Sequence, residues 1–250
     1  VELIDAGVVL VSGTVALRAA RLVDPAEPLV VAGPPPRFVG RGGEKLDAAL
    51  DRFAVDVSGV VALDAGASTG GFTDCLLQRG AAAVVAVDVG RGQLHERLRR
   101  HPRVRSLEQT NVRTATLTDL GGEPFQVVVA DLSFISLRLV AGQLAGWTAA
   151  GGHLIVLVKP QFEAGRREVS RGRGVIRDPR VWETAVRDVI SALDAAGATM
   201  MGVMVSPLRG ADGNVEFLVY SRVGSFAGRS PDVSRDIEAA VAAAQVLSGV

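Results

Sequence analysis

Four apolar runs along this chain each stop at an ionisable residue. Residues 60–63 end at Asp64, residues 84–87 at Asp88, residues 127–130 at Asp131 and residues 154–158 at Lys159. Lys159 has one companion of its kind, Lys45; the other 25 of the 27 basic residues are arginines. Genome composition can account for an arginine bias, yet the two exceptions differ chemically from what surrounds them. Arginine stays protonated in proteins, so it cannot serve as a base. A lysine whose pKa falls from ~10.4 toward ~7–8, through burial or a cationic neighbour, can take a proton. Lys45 and Lys159 are therefore candidates for proton chemistry, with Asp64, Asp88 and Asp131 as carboxylates beside them.

The stretch from Asp64 through Gly66, Ser68, Thr69, Gly70 and Gly71 to Phe72 is a glycine-rich turn. Such a turn lets backbone approach a ligand as the next helix begins. Its glycines give G-x-x-x-G-G, whereas dinucleotide turns read G-x-G-x-x-G, set for a pyrophosphate. The spacing resembles the first motif of S-adenosylmethionine-dependent methyltransferases. Asp88 could then accept both ribose hydroxyls of a bound nucleoside, and Asn111 either sits by an adenine or is a turn residue. What is missing narrows the methyl acceptor. Cys75 lies inside the first helix, away from where a base-carbon methyltransferase places its nucleophile, and reads as core packing. The run Asp131-Leu132-Ser133-Phe134 lacks the prolines usual after this strand in base-amine methyltransferases. A hydroxyl acceptor, such as a ribose 2′-OH, is a poor nucleophile at neutral pH and needs a base like the lysine above.

The elements that must position these residues follow from the pattern. Short runs rich in Val and Ile read as strands buried on both faces. Helical stretches lie between them, so the connections are βαβ and the sheet is parallel. All carboxyl ends then share one rim, where open α/β sheets bind ligands. A helix is expected over residues 44–53, a strand over 104–107, a long amphipathic helix over 178–196, and a strand over 199–206. Residues 207–213 read as a turn, 215–220 as an antiparallel return strand, and 237–247 as an Ala-rich closing helix. Ahead of this body, residues 8–17 read as a hairpin around Ser12-Gly13, with a further strand at 29–31. Gly33-Pro34-Pro35-Pro36 is a stiff linker signal. The expected division is a small head with its linker at 1–36 and a catalytic body at 37–250.

The chain has 250 residues, 48% of them apolar, which supports a sizeable core. Basic and acidic residues number 27 each, so any polyanion site must come from local patches. One cysteine excludes an internal disulfide and a multi-cysteine metal site. His95, His101 and His153 show no ligand spacing, so no metal is expected. No apolar run approaches the ~18 residues of a membrane span, and no signal-peptide pattern opens the chain. A reducing, cytoplasmic setting is expected.

Lys45 in RGGEKL (41–46), Asp131 in ADLSF (130–134), Lys159 in VKPQFE (158–163) and Glu216 in GNVEF (213–217) are similar to the Lys-Asp-Lys-Glu tetrad of FtsJ-like RNA 2′-O-methyltransferases. The strings at 41–46, 64–72 and 159–163 resemble more narrowly the TlyA, or hemolysin A, family of bacterial rRNA methyltransferases. The resemblance runs from Val1 to about Tyr220. It implies a class I (Rossmann-like) methyltransferase fold, a seven-stranded sheet with one antiparallel strand, and S-adenosylmethionine as cofactor. It also implies a truncated S-four-like RNA-binding head, since residues 3–13 are similar to the later part of that module. The family linker is matched by Arg37-Phe38-Val39-Gly40-Arg41-Gly42, with Gly40 where serine is usual.

Carried onto this chain, the resemblance makes Lys159 the proton acceptor from the 2′-OH. Asp131 and Lys45 would hold and tune it, and Glu216 would orient Lys45 or the ribose. The implied cofactor contacts are Asp64, Gly66, Ser68, Thr69, Gly70, Gly71, Phe72, Asp88, Asn111 and Asp131. The implied partner is ribosomal RNA within a subunit, methylated at cytidine 2′-OH. Arg41, Arg166, Arg167, Arg171 and Arg173 are candidate phosphate contacts, most of them in the loop after Lys159. A second arginine group, Arg91 to Arg105, follows the second strand of the body. Two other readings compete: an RNA-binding assembly factor that keeps the fold without catalysis, and a membrane-active protein, disfavoured by the lack of a span or a basic amphipathic helix.

Overall fold

The computed structural model describes residues 2–5, 7–33, 36–165, 174–224 and 232–248. The chain divides into two compact units, Val1–Arg37 and Phe38–Val250.

The first unit holds a short helix α1 (Glu2–Asp5) and three strands, β1 (Val9–Val11), β2 (Thr14–Val15) and β3 (Leu29–Val31). They pair antiparallel in the order β2-β1-β3. The hairpin turn has Ser12 at φ 49° and Gly13 at φ 80°. Two positive φ values in a two-residue loop match the twist of the flanking strands, which is why a Ser-Gly pair works there.

The second unit is a seven-stranded sheet in the order β6-β5-β4-β7-β8-β10-β9. Its strands are β4 (Val61–Ala65), β5 (Ala83–Val87), β6 (Val104–Leu107), β7 (Phe125–Ala130), β8 (Thr148–Val158), β9 (Ala198–Val205) and β10 (Phe217–Val223). The pairs β4–β5, β4–β7, β5–β6 and β7–β8 are parallel, and β10 runs antiparallel to both β8 and β9. This is a mostly parallel, Rossmann-like sheet with one reversed strand. Strand β8 starts six residues before the apolar run at 154–158. Gly151 and Gly152 have the composition of a turn, but a Cβ on Gly152 would stand 2.8 Å from the Ala149 carbonyl and 2.9 Å from that of Gln126. Glycine there allows close backbone packing within a strand.

Alternate residues of each central strand enter opposite cores. Leu63, Val85, Val128 and Val156 face one cluster, closed by α6 (Ala141–Trp147), α8 (Pro179–Ala195) and α9 (Val233–Ser248) through Trp147, Trp182, Val189 and Ile237. Ala62, Val84, Val127, Val129 and Ile155 face the other, closed by α2 (Gly42–Phe53), α3 (Gly71–Gln78) and α4 (Glu96–Arg99) through Leu46, Leu50, Phe72, Leu76 and Leu98. The short helices α5 (Leu117–Leu120) and α7 (Pro160–Glu163) are the remaining α-helices among the described residues. Burial on both faces explains why these strands read as continuous apolar runs rather than alternating ones. Cys75, fully buried, packs in the second core.

Candidate active site

The topology collects the charged residues at one rim. Strands β5, β4, β7 and β8 are consecutive in the sheet and parallel, so Asp88, Asp64, Asp131 and Lys159 lie at neighbouring carboxyl ends. Glu216 precedes β10, which is antiparallel. Phe217 pairs with Val158, and this sets Glu216 against the end of β8 where Lys159 begins. Lys45 arrives on the first turns of α2, whose apolar residues Leu46, Ala49 and Leu50 are buried against the sheet.

These side chains meet in pairs. Lys45 Nζ donates to Glu216 Oε2 at 2.5 Å, with side chains only 8% and 3% exposed. Lys159 Nζ lies 2.6 Å from Asp131 Oδ1 and donates to Ser133 Oγ at 2.7 Å. Burial raises the Glu216 pKa above the usual glutamate value. The charge and hydrogen bond of Lys45 and the charge of Lys159 oppose that, while Asp131 adds to it. The four charged groups therefore share one electrostatic environment, two cations against two carboxylates.

Next to this group lies a cavity of about 480 Å³. Of the expected cofactor contacts, Gly66, Ser68, Asp88, Asn111 and Asp131 line it. Gly66, at φ 86°, passes so close to β7 that a Cβ would stand 2.5 Å from the Asp131 carbonyl. Only glycine lets the two strand ends approach in this way. Asp88 accepts backbone N–H bonds from Ser68 and Gly90, each at 2.7 Å and one on each carboxylate oxygen. Asn111 caps its own turn by accepting from the Arg113 N–H at 3.0 Å, and it also faces the cavity. Val89, Val112 and Leu132 supply apolar wall that the motif reasoning did not single out.

Asp64, Thr69, Gly70, Gly71 and Phe72 do not line this cavity. Asp64 is fully buried below the turn and accepts from Thr73 Oγ1 at 2.7 Å, while its Oδ1 has no hydrogen-bond partner among the described residues. Burial pushes its pKa up to about 7, against the Thr73 bond and with help from Asp131 and Asp88. Gly70 caps α3, and a Cβ there would strike Leu98 at 2.3 Å. Gly71 and Phe72 pack against Gly42, and Thr69 lies near Gly40. The chain has already turned into α3 at these positions, so they shape the turn and dock α2 rather than face the cavity.

Two further groups lie in the ADLSF and VKPQFE strings without a role assigned to them by the resemblance. Ser133, on the cavity wall, bonds the Lys159 amine. Glu163, 7% exposed, accepts from Ser136 Oγ and from the Leu137 N–H at 2.8 Å, and pairs with Arg138 at 3.4 Å. Burial raises its pKa, and these three partners offset part of the rise. Glu163 thereby ties the loop after β8 to the loop after β7. Phe134, in the same β7 loop, is 91% exposed with φ 63°, an uncommon backbone state for an aromatic residue.

Arg41 donates to the Arg209 carbonyl at 2.6 Å. Arg166, Arg167, Arg171 and Arg173 lie outside the described residues. In the other arginine group, four members are bonded within the unit. Arg97 pairs with Asp74 at 2.7 Å, Arg100 with Glu96 at 2.6 Å, Arg103 holds the Ala81 carbonyl and Arg105 the Leu120 carbonyl. Arg103 and Arg105 thereby satisfy backbone carbonyls at the ends of neighbouring segments. The histidines are engaged locally: His95 and His101 accept from the Arg97 and Arg103 N–H groups, and His153 bonds Tyr220.

A parallel sheet with one reversed strand, a glycine turn over the central strand end and a nucleoside-sized cavity at the rim define a class I methyltransferase. Residues 38–223 match the FtsJ-like methyltransferase family, and the chain belongs to it. It is 47% identical over 222 residues, 88% of this chain and 82% of the relative, to the 16S/23S rRNA (cytidine-2′-O)-methyltransferase TlyA of Mycobacterium tuberculosis. A solved structure from Streptococcus thermophilus, provisionally named a hemolysin, superposes with a TM-score of 0.84 at 38% identity, covering 98% of this chain and 88% of that one. The N-methyltransferase NodS of Bradyrhizobium japonicum shares the fold alone, with a TM-score of 0.52 at 20% identity over 74% of this chain and 98% of that one.

Proposed function

We propose that this enzyme transfers a methyl group from S-adenosylmethionine to the ribose 2′-OH of cytidines in ribosomal RNA. The observation that carries this reading is the contact of Lys159 with Asp131 and Ser133 beside a cavity that also holds Asp88. A candidate base and a candidate ribose anchor thus belong to one site. The name of the 47% identical relative supports the same substrate class.

The residues present fit the cofactor. Each Asp88 oxygen already carries one backbone N–H and retains a lone pair for a ribose hydroxyl. Val89, Val112 and Leu132 offer apolar walls for an adenine, with Asn111 at its edge. When bound, the cofactor supplies an electrophilic methyl on a sulfonium. Lys159 would take the proton of the ribose hydroxyl as that oxygen accepts the methyl group the cofactor would supply. The amine becomes ammonium, so charge is conserved. Asp131 stabilises that ammonium at 2.6 Å. Lys45, held by Glu216, adds positive charge near the amine and keeps a buried carboxylate neutralised. Most of the rate gain then comes from positioning. Ribosomal RNA as substrate implies action in the cytoplasm. The three-stranded first unit is assigned to RNA binding in the manner of an S-four-like module, and Arg41, Arg166, Arg167, Arg171 and Arg173 would meet phosphates.

The test is transfer of labelled methyl from S-adenosylmethionine to ribosomal subunits by the parent chain and by Lys159→Ala. The parent is expected to label ribose; the variant is expected to bind the cofactor and label nothing. Cofactor binding with no transfer by the parent would point to an assembly factor instead.

A further inference from the structure

The Lys159 amine is held by two contacts of different kinds. Its approach to Asp131 Oδ1, at 2.6 Å, is a charge contact outside hydrogen-bond geometry. Its bond to Ser133 Oγ, at 2.7 Å, is a directed hydrogen bond. Coulomb attraction fixes how near two groups sit, while a hydrogen bond also fixes which way the donor points. A base must do more than stand close to its hydroxyl. Its free valence must face the proton it takes.

We infer that Ser133 is the positioning residue that aims the Lys159 amine at the acceptor hydroxyl. This rests on the reading of Lys159 as the base. A neutral amine has two N–H bonds and one lone pair. With one N–H given to Ser133 and the Asp131 carboxylate standing 2.6 Å from the amine, the lone pair is left for the 2′-OH. The proton taken from that hydroxyl becomes the third N–H of the ammonium, and neither existing contact has to break.

The surroundings hold Ser133 in place for this task. It lies two residues beyond Asp131 and lines the cavity, so one short segment meets both the base and the cofactor site. Phe134 follows at φ 63° and redirects the chain. Ser136 and Leu137 are then clamped by Glu163, four residues after Lys159 on the opposite loop. The loops after β7 and β8 are thus joined twice, once at Glu163 and once at the Ser133–Lys159 bond. The buried Glu163 joint fixes the frame in which the more exposed Ser133 joint is set.

The experiment compares the parent, Ser133→Ala, Ser133→Thr and Lys159→Ala in the full chain, with ribosomal subunits as acceptor and labelled S-adenosylmethionine as donor. For Ser133→Ala the expected kcat falls roughly tenfold, the worth of one such hydrogen bond in the transition state. Cofactor affinity by calorimetry should stay within about twofold, since the hydroxyl is assigned to the amine. Ser133→Thr, which keeps the hydroxyl, should recover most of the rate. An unchanged kcat in Ser133→Ala overturns the inference. So does a slower rate matched by weaker cofactor binding, or a threonine variant as slow as the alanine one. Turnover retained by Lys159→Ala sinks the base reading and this inference with it. A silent Lys159→Ala beside an unaltered Ser133→Ala sinks this inference alone.

Discussion

Replacing Lys45 with Met tests how the site is held. The partner left behind, Glu216, has a side chain only 3% exposed. Removing one member of a buried pair leaves an uncompensated charge and typically costs about 3–5 kcal/mol. At about 2–4 °C per kcal/mol for a unit of this size, the melting temperature should fall by roughly 6–20 °C. The double variant Lys45→Met with Glu216→Leu should recover most of that stability, since apolar replacement of a whole buried pair is often neutral or better. The cost should also depend on pH. Burial is the main influence on Glu216 and raises its pKa, with Lys45 opposing. Without Lys45 the folded variant keeps the proton to higher pH. Above the ordinary glutamate value it then binds more protons than the unfolded chain, and stability falls as pH rises. The parent loses stability in the same direction, but less. The deficit of Lys45→Met should therefore be smallest near pH 4.5, the ordinary value, and grow toward pH 8. Urea unfolding across that range measures it. A deficit under about 1 kcal/mol at pH 7.5, a deficit flat in pH, or a double variant as unstable as the two singles combined would refute the reasoning.

Asp64 gives a second pH signature. Its folded pKa of about 7, against 3.8 ordinarily, means the folded chain keeps a proton that the unfolded chain releases. Stability should fall as pH rises between those values, by up to a few kcal/mol. Asp64→Asn should flatten that limb in urea unfolding, and parallel slopes would count against it. Replacing Arg171 and Arg173 together with Glu should weaken binding to ribosomal RNA. It should also lower the salt slope of log K by roughly two, at ~0.9 for each phosphate no longer neutralised. Unchanged binding at low salt would remove that loop from the interface.

The parts of the fold legible in the sequence are those decided locally. Strands β4, β5 and β7 stand out because both faces are buried and no polar residue interrupts their apolar runs. Helix α8 is legible from its apolar stripe and its Asp178 cap. The early part of β8 is not, because Gly151 and Gly152 carry turn chemistry that only their neighbours across the sheet overrule. The glycine motif tells which segment meets the cavity but not which of its residues do. Gly66 and Ser68 precede the point where the chain enters α3, and Gly70 to Phe72 follow it. Ser133 and Glu163 stay hidden for another reason. Each acts across a gap of more than twenty residues, between two loops whose proximity is a property of the sheet order.

The reversed strand explains why the four charged groups can meet at all. In an all-parallel sheet a residue just before a strand lies at the amino-terminal rim. Strand β10 has seven residues, so a parallel β10 would carry Glu216 roughly 20 Å from Lys159 at ~3.3 Å per residue. Running antiparallel, β10 delivers Glu216 to the carboxyl rim at its very first pair, Phe217 with Val158. Lys45 reaches the same rim without a strand, because α2 runs into the unit ahead of β4 and buries Leu46 and Leu50 against the sheet. The Lys45–Glu216 pair thus links the first helix of the unit to a strand 171 positions later. Its formation requires that both ends of the unit be folded, so this buried ion pair is present only in the complete sheet.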